Sequence, residues 1–146
     1  MTRRSSAMIL ASGVALAVAG FFAFVASSGV SPLANLLAKK PERLVLVYVG
    51  ADDCAPCRTW QRDQAPTLRS PIFARLIYRE VKSPRLLDVM KDDYWPDDLR
   101  PLQTQLGPDA GVPLWLVIAD GAIVGRGRGA SEWNRTILPI LQSLVR

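Results

Sequence analysis

The stretch that most constrains this chain is "RLVLVYVGADDCAPC", residues 43–57, an apolar run that ends in glycine and leads into the chain's two cysteines. Residues 44–49 are apolar and rich in valine without polar alternation. That is the pattern of a strand buried on both faces, as in parallel sheets. From Ala55 the chain reads as a helix, with Pro56 tolerated in its first turn. A doubly buried strand feeding a helix calls for a sheet with helices packed on its faces.

The rest of the chain supplies the remaining elements. Pro66 is expected to kink or end the first helix. "ARLIYREVKS", residues 74–83, reads as a second strand. Pro84, Pro96 and Pro101 divide the long middle, which predicts a short helix near 84–91 and another near 97–106, closed by Gly107-Pro108-Asp109. Asp120-Gly121, between two apolar runs, predicts a hairpin with a two-residue turn. "SEWNRTILPILQSLV" predicts a final helix capped by Ser131, with Trp133, Ile137, Ile140, Leu141 and Leu144 on one face and Pro139 interrupting it. The order is β-α-β-α-β-β-α. A crossover helix makes the first two strands parallel and the hairpin is antiparallel, which gives an α/β sandwich on a four-stranded mixed sheet.

Ahead of this lies an uncharged run from Ala7 to Val30, preceded by Arg3 and Arg4. It is long enough to span a bilayer, which takes about 20 helical residues. The basic flank predicts that the chain after residue 30 is exported. A signal anchor is favoured by the length of the run. A cleaved signal peptide, ending near the small residues "ASSG" from Ala26, is the alternative. The expected organisation is anchor or signal peptide over 1–30, linker over 31–43 and one domain over 44–146. An anchored chain would work at the periplasmic face of the inner membrane, and a cleaved one would be secreted into the periplasm. The net charge is only +5, and no Lys/Arg cluster with interleaved aromatics appears, which argues against a nucleic-acid partner.

Three uses compete for Cys54 and Cys57. A structural zinc site takes four Cys or His ligands, and the chain has two cysteines and no histidine. A c-type haem attachment needs histidine after the second cysteine, where Arg58 stands. No metal or other cofactor is expected. A structural disulfide is allowed in an exported compartment, but so small a loop removes little chain entropy when closed. The redox use draws on placement. Cys54 falls at a helix N-terminus, where free backbone N–H groups and the helix dipole favour a thiolate, and Cys57 lies one turn on, within reach to resolve a mixed disulfide. Arg58 adds positive charge nearby, while Asp52 and Asp53 oppose it.

A buried strand running into Cys54-Ala-Pro-Cys57, with "GVP" at 111–113 opening a later strand and a glycine-turned hairpin behind it, resembles the thioredoxin family over about residues 44–145. The resemblance implies a thioredoxin-like sandwich and a thiol–disulfide oxidoreductase, more a reductase of protein disulfides than an oxidant. Cys54 would be the nucleophile and Cys57 the resolving thiol. Pro113 would follow a cis peptide bond beside the dithiol, and the backbone of Val112 would pair with a substrate peptide. The implied partners are protein thiols and disulfides and a membrane electron donor, with the chain itself a monomer.

Two positions depart from that family: Asp53 stands where thioredoxins carry tryptophan, and Tyr48 where they keep a buried acid. Tyr48 and Trp60 are expected in the core. The other function considered is a non-enzymatic binding module whose disulfide stays closed. It would use "DDYWPDD", residues 92–98, as an acidic, aromatic docking surface, although burial of Trp95 under a loop is the more ordinary expectation.

Overall fold

The computed structural model describes residues 40–146. The Ala7–Val30 run and most of the linker lie outside the described residues, and with them the expectations of an anchor or signal peptide. Among the described residues no helix is long and apolar enough to cross a membrane.

Strand β1, Leu44–Ala51, is buried along its whole length. It sits inside a four-stranded sheet of order β2-β1-β3-β4, with β2 at Leu76–Ser83, β3 at Leu114–Ala119 and β4 at Ala122–Arg128. β1 pairs parallel with β2, placing Tyr48 opposite Glu80, and antiparallel with β3, placing Tyr48 opposite Trp115. β3 and β4 form the antiparallel hairpin, turning at Asp120 and Gly121, both at positive φ. This is the expected β-α-β-α-β-β-α mixed sheet, with the continuous apolar run as a doubly covered strand.

Each face of β1 feeds its own core. Leu44, Leu46 and Tyr48 pack with Trp60, Trp115, Trp133 and both cysteines. Val45, Val47 and Val49 pack with Val81, Val89, Trp95, Leu99 and Leu116. Helix α1, Ala55–Asp63, buries Cys57 and Trp60 on the first face. It stops at Gln64, and Pro66 falls in the 3₁₀ turn Ala65–Arg69 that follows.

The middle segment corrects one expectation. No α-helix forms over 84–91, where the chain makes one isolated 3₁₀ turn at Leu86–Asp88, with another following at Asp92–Tyr94. The backbone is extended at Arg85 (φ −124°, ψ 137°), and polar groups of the segment have partners outside any helical ladder. Ser83 Oγ donates to the carbonyl of Arg85, Asp53 accepts from the Leu86 amide, and the carbonyl of Val89 accepts from the Trp95 indole. Bonds of this kind compete directly with a helical ladder. The second expected helix does form, as a 3₁₀ turn at Asp97–Leu99 running into α2, Arg100–Leu106.

The C-terminal helix, α3, is composite: Ala130–Glu132, one wider π turn over Trp133–Ile137, then Leu138–Val145. Ser131 is not its cap. The helix begins at Ala130, and Gly129, at φ 87°, holds the capping position. The π turn lets the Leu138 amide donate to the Trp133 carbonyl. Pro139, which has no N–H, falls at the start of the last segment, directly behind that wider turn. Trp133, Ile137, Leu141 and Leu144 stay buried and Ile140 is half-buried against them. The helix lies close on β4 because a Cβ at Gly127 would come within 2.8 Å of Ile137 Cγ1 and 3.0 Å of Glu132 Cβ.

Candidate active site

The chain leaves the sheet at Ala51 and reaches α1 within three residues. Cys54 caps that helix in extended conformation, and its Sγ accepts a hydrogen bond from the Cys57 amide at 3.2 Å. Arg58 N–H donates to the Cys54 carbonyl at 3.1 Å, starting the helical ladder. The two cysteines are joined in a disulfide with Cα atoms 5.2 Å apart. They are not equivalent: Cys54 keeps 6% of its surface and Cys57 keeps none. Of the pair, only Cys54 keeps any contact with solvent.

The charges beside the pair are occupied elsewhere. Asp52 forms an ion pair with Lys82 Nζ at 2.6 Å, on the neighbouring end of β2. Asp53 Oδ1 accepts from the Leu86 amide at 2.6 Å, tying the cysteine loop to the 84–91 segment. Arg58 Nη1 donates to the Asp52 carbonyl at 2.7 Å, which folds the guanidinium back over the loop. Both carboxylates that the sequence sets against Arg58 thus have cationic or amide partners of their own.

Beneath the disulfide lies an aromatic cluster. Tyr48 stacks on Trp60 with ring centroids 4.5 Å apart, and Trp133 meets Trp60 edge to face at 5.0 Å. Trp115 fills the remaining side, 5.3 Å from Trp60 and 5.6 Å from Trp133. Offset and edge-to-face contacts of this sort set ring edges against π faces. The Tyr48 hydroxyl is fully buried and finds no hydrogen-bond partner in the protein. Burial, with smaller contributions from Glu80 and Asp52, pushes it well above the ordinary tyrosine range, so it stays neutral. Tyr48 is a core residue, as expected, and so is Trp60.

The Val112–Pro113 peptide is cis. Val112 is half-buried against both cores, including the one that holds the cysteines, and the Pro113 carbonyl accepts from Gly129 N–H at 2.8 Å. The "DDYWPDD" stretch presents little aromatic surface. Trp95 is 2% exposed, with its indole donating to the Val89 carbonyl at 2.8 Å. Asp92 accepts from Gln103, Asp97 pairs with Arg100, and Asp98 holds Arg79 in a bidentate contact. Among the described residues, no cluster of three or more His, Cys, Asp or Glu side chains has the arrangement of a metal site.

Sequence reasoning missed the link from Asp53 to Leu86 and the position it gives the Leu86–Leu87 pair. The one available signal was two adjacent leucines in a segment punctuated by prolines.

The fold with this disulfide at a strand–helix junction defines a thioredoxin-like domain. Among solved structures it is similar to the thioredoxin of Malassezia sympodialis, at 12% identity and TM-score 0.50, covering 80% of this chain and 89% of that one. It is also similar to thioredoxin f from spinach chloroplast in its short form, at 14% identity and TM-score 0.48, covering 77% of this chain and 85% of that one. No protein-family model and no curated protein matches the chain.

Proposed function

We propose that the chain is an exported thiol–disulfide oxidoreductase that reduces protein disulfides through Cys54 and Cys57. The observation that carries this reading is the asymmetric pair at the N-terminus of α1. Cys54, the helix cap, keeps a small exposed area, and Cys57 is fully buried one turn behind it. A staple has no need of that asymmetry, whereas sequential exchange depends on it.

In the reducing direction the Cys54 thiolate attacks one sulfur of a client disulfide. A Cys54–client disulfide forms and the first client sulfur leaves as thiolate. Cys57, once deprotonated, attacks the Cys54 sulfur, forms the intramolecular disulfide and releases the second client thiolate. Two electrons pass to the client, and the two protons of the dithiol end on the client's thiols. In this reading Val112, which packs on the core that holds the cysteines, and Pro113 supply the backbone against which the client segment is held. An exported dithiol used this way needs recharging by a dithiol donor, which we place in the inner membrane, with the domain acting at its periplasmic face.

The test is direct. Cys54→Ser should abolish disulfide exchange, and Cys57→Ser should accumulate the mixed disulfide, visible as a client-sized mass increase under non-reducing conditions. Full activity in Cys54→Ser would remove the assignment. The reduction potential decides direction: about −270 mV marks a reductase and about −120 mV an oxidant. Burial of Trp95 speaks against the alternative of a binding module working through residues 92–98.

A further inference from the structure

The residue directly ahead of Cys54 is a carboxylate that the fold holds in one place. Three bonds tie the Asp52–Asp53 turn to the end of β2 and the segment after it. The Asp52 amide donates to the Ser83 carbonyl at 2.9 Å, Lys82 Nζ meets Asp52 Oδ1 at 2.6 Å, and the Leu86 amide donates to Asp53 Oδ1 at 2.6 Å. The two carboxylates differ in what they receive. Lys82 neutralises Asp52, whereas the Leu86 amide anchors Asp53 without cancelling its charge. Among the described residues no lysine or arginine forms an ion pair with Asp53.

Covalent geometry bounds the distance from that charge to the sulfur. Adjacent Cα atoms are about 3.8 Å apart, so even with the two side chains pointing away from each other the Asp53 carboxylate stays within about 10 Å of Cys54 Sγ. That is about one Debye length at ordinary ionic strength. The other charged groups around the loop are committed. Glu80 accepts from Gln61, Glu132 at the start of α3 bonds Arg135 and Thr136, and Arg128 on β4 lies against Gly111. Two inputs then act on one sulfur in opposite senses. The Cys57 amide, donating to Cys54 Sγ at 3.2 Å, and Arg58, donating to the Asp52 carbonyl at 2.7 Å, favour a thiolate, and Asp53 opposes it.

We propose that Asp53 is a positioning residue that sets the redox poise of the pair: its carboxylate, held by the Leu86 amide, disfavours the Cys54 thiolate and makes the reduced protein the stronger electron donor. A dithiol whose reduced form is stabilised is a weak donor, so a charge that acts against the thiolate strengthens donation. This rests on the oxidoreductase reading and ties its direction to a named residue.

The experiment follows alkylation of the full-length reduced protein by iodoacetamide against pH, with the label located on Cys54 by mass spectrometry. Asp53→Asn keeps an acceptor for the Leu86 amide and removes only the charge. The midpoint of its profile should lie about half a pH unit below wild type, about a threefold gain in thiolate, the order expected for a unit charge about 8 Å away across solvent. The difference should shrink at about 1 M salt, where the Debye length is about 3 Å. At a pH above the midpoint, the equilibrium with glutathione should move toward the reduced protein by the same factor, about 14 mV. An unchanged or raised midpoint in Asp53→Asn overturns the inference, and so does a shift that salt leaves intact. So does a shift seen only in Asp53→Ala, because the lost hydrogen bond would then be its cause. The underlying reading fails separately: a wild-type dithiol that does not exchange with oxidised glutathione, while the Asp53→Asn midpoint still falls, removes the oxidoreductase function and leaves the charge effect on Cys54.

Discussion

Tyr48 illustrates how one residue constrains its neighbours. Its ring stacks on Trp60, and its hydroxyl lies over the backbone of Gly50, so that any Cβ at residue 50 would overlap it. Gly50→Ala should therefore destabilise the protein by about 1–3 kcal/mol, the usual cost of overpacking a filled core, seen as a lower urea midpoint. Tyr48→Phe is expected to behave in the opposite way. It removes a buried hydroxyl with no protein partner, a group whose desolvation costs about 1–3 kcal/mol, so the midpoint should hold or rise. A marked loss would mean that the hydroxyl is hydrogen-bonded in solution. Asp53 is a second informative position. Asp53→Ala deletes the acceptor of the Leu86 amide and should cost about 1 kcal/mol, with faster amide exchange at Leu86 as the local sign.

At the scale of elements, the contact between β4 and α3 depends on the alternation in "GRGRG", residues 125–129. Gly125 and Gly127 face the helix, where Ile140 and Ile137 come close, while Arg126 and Arg128 fall at the intervening positions. Gly127→Ala should cost about 1–3 kcal/mol by pushing Ile137 and Glu132 outward, measured as a shift in the urea midpoint at unchanged slope. The same helix shows how a proline is accommodated. The π turn ahead of Pro139 moves it to a first-turn position without losing the apolar face, so Trp133 and Leu141 remain in one core.

At the scale of the whole molecule, stability should fall at both pH extremes. Above about pH 10 unfolded tyrosines ionise while burial keeps Tyr48 and Tyr78 protonated, and on the acid side the fall comes through carboxylates. Hydrogen bonds from Arg79 hold the Asp98 carboxyl below its ordinary range, Lys91 does the same for Asp88, and Thr136 and Arg135 for Glu132. A carboxyl whose folded pKa lies below its unfolded value adds stability that is complete above the unfolded value and lost as pH falls through the folded one. The thermal midpoint of the oxidised protein should therefore decline below about pH 4–5, the upper edge of the unfolded carboxylate range. Asp98→Asn should flatten part of that decline. The chain has no histidine and both thiols are oxidised, so the midpoint should stay level between about pH 6 and 8. A step there in the oxidised protein would contradict this account.

Much of the architecture was legible because it is written in local pattern. Six successive apolar residues in "LVLVYV" required a strand covered on both faces, and that places β1 inside the sheet. Asp120-Gly121 between apolar runs required the hairpin, and the order of strand, glycine and Cys54-Ala-Pro-Cys57 put the cysteine pair at a helix N-terminus. What the sequence could not determine is where polar groups find partners far along the chain. The Leu86 amide bonds Asp53, thirty-three positions away, and Arg79 pairs with Asp98, nineteen positions away. The first of these ties the segment after β2 to the loop that carries Cys54. Local propensity is read along the chain, whereas a hydrogen bond between distant segments exists only once the sheet has brought them together, so this border of the site was decided by the tertiary structure alone.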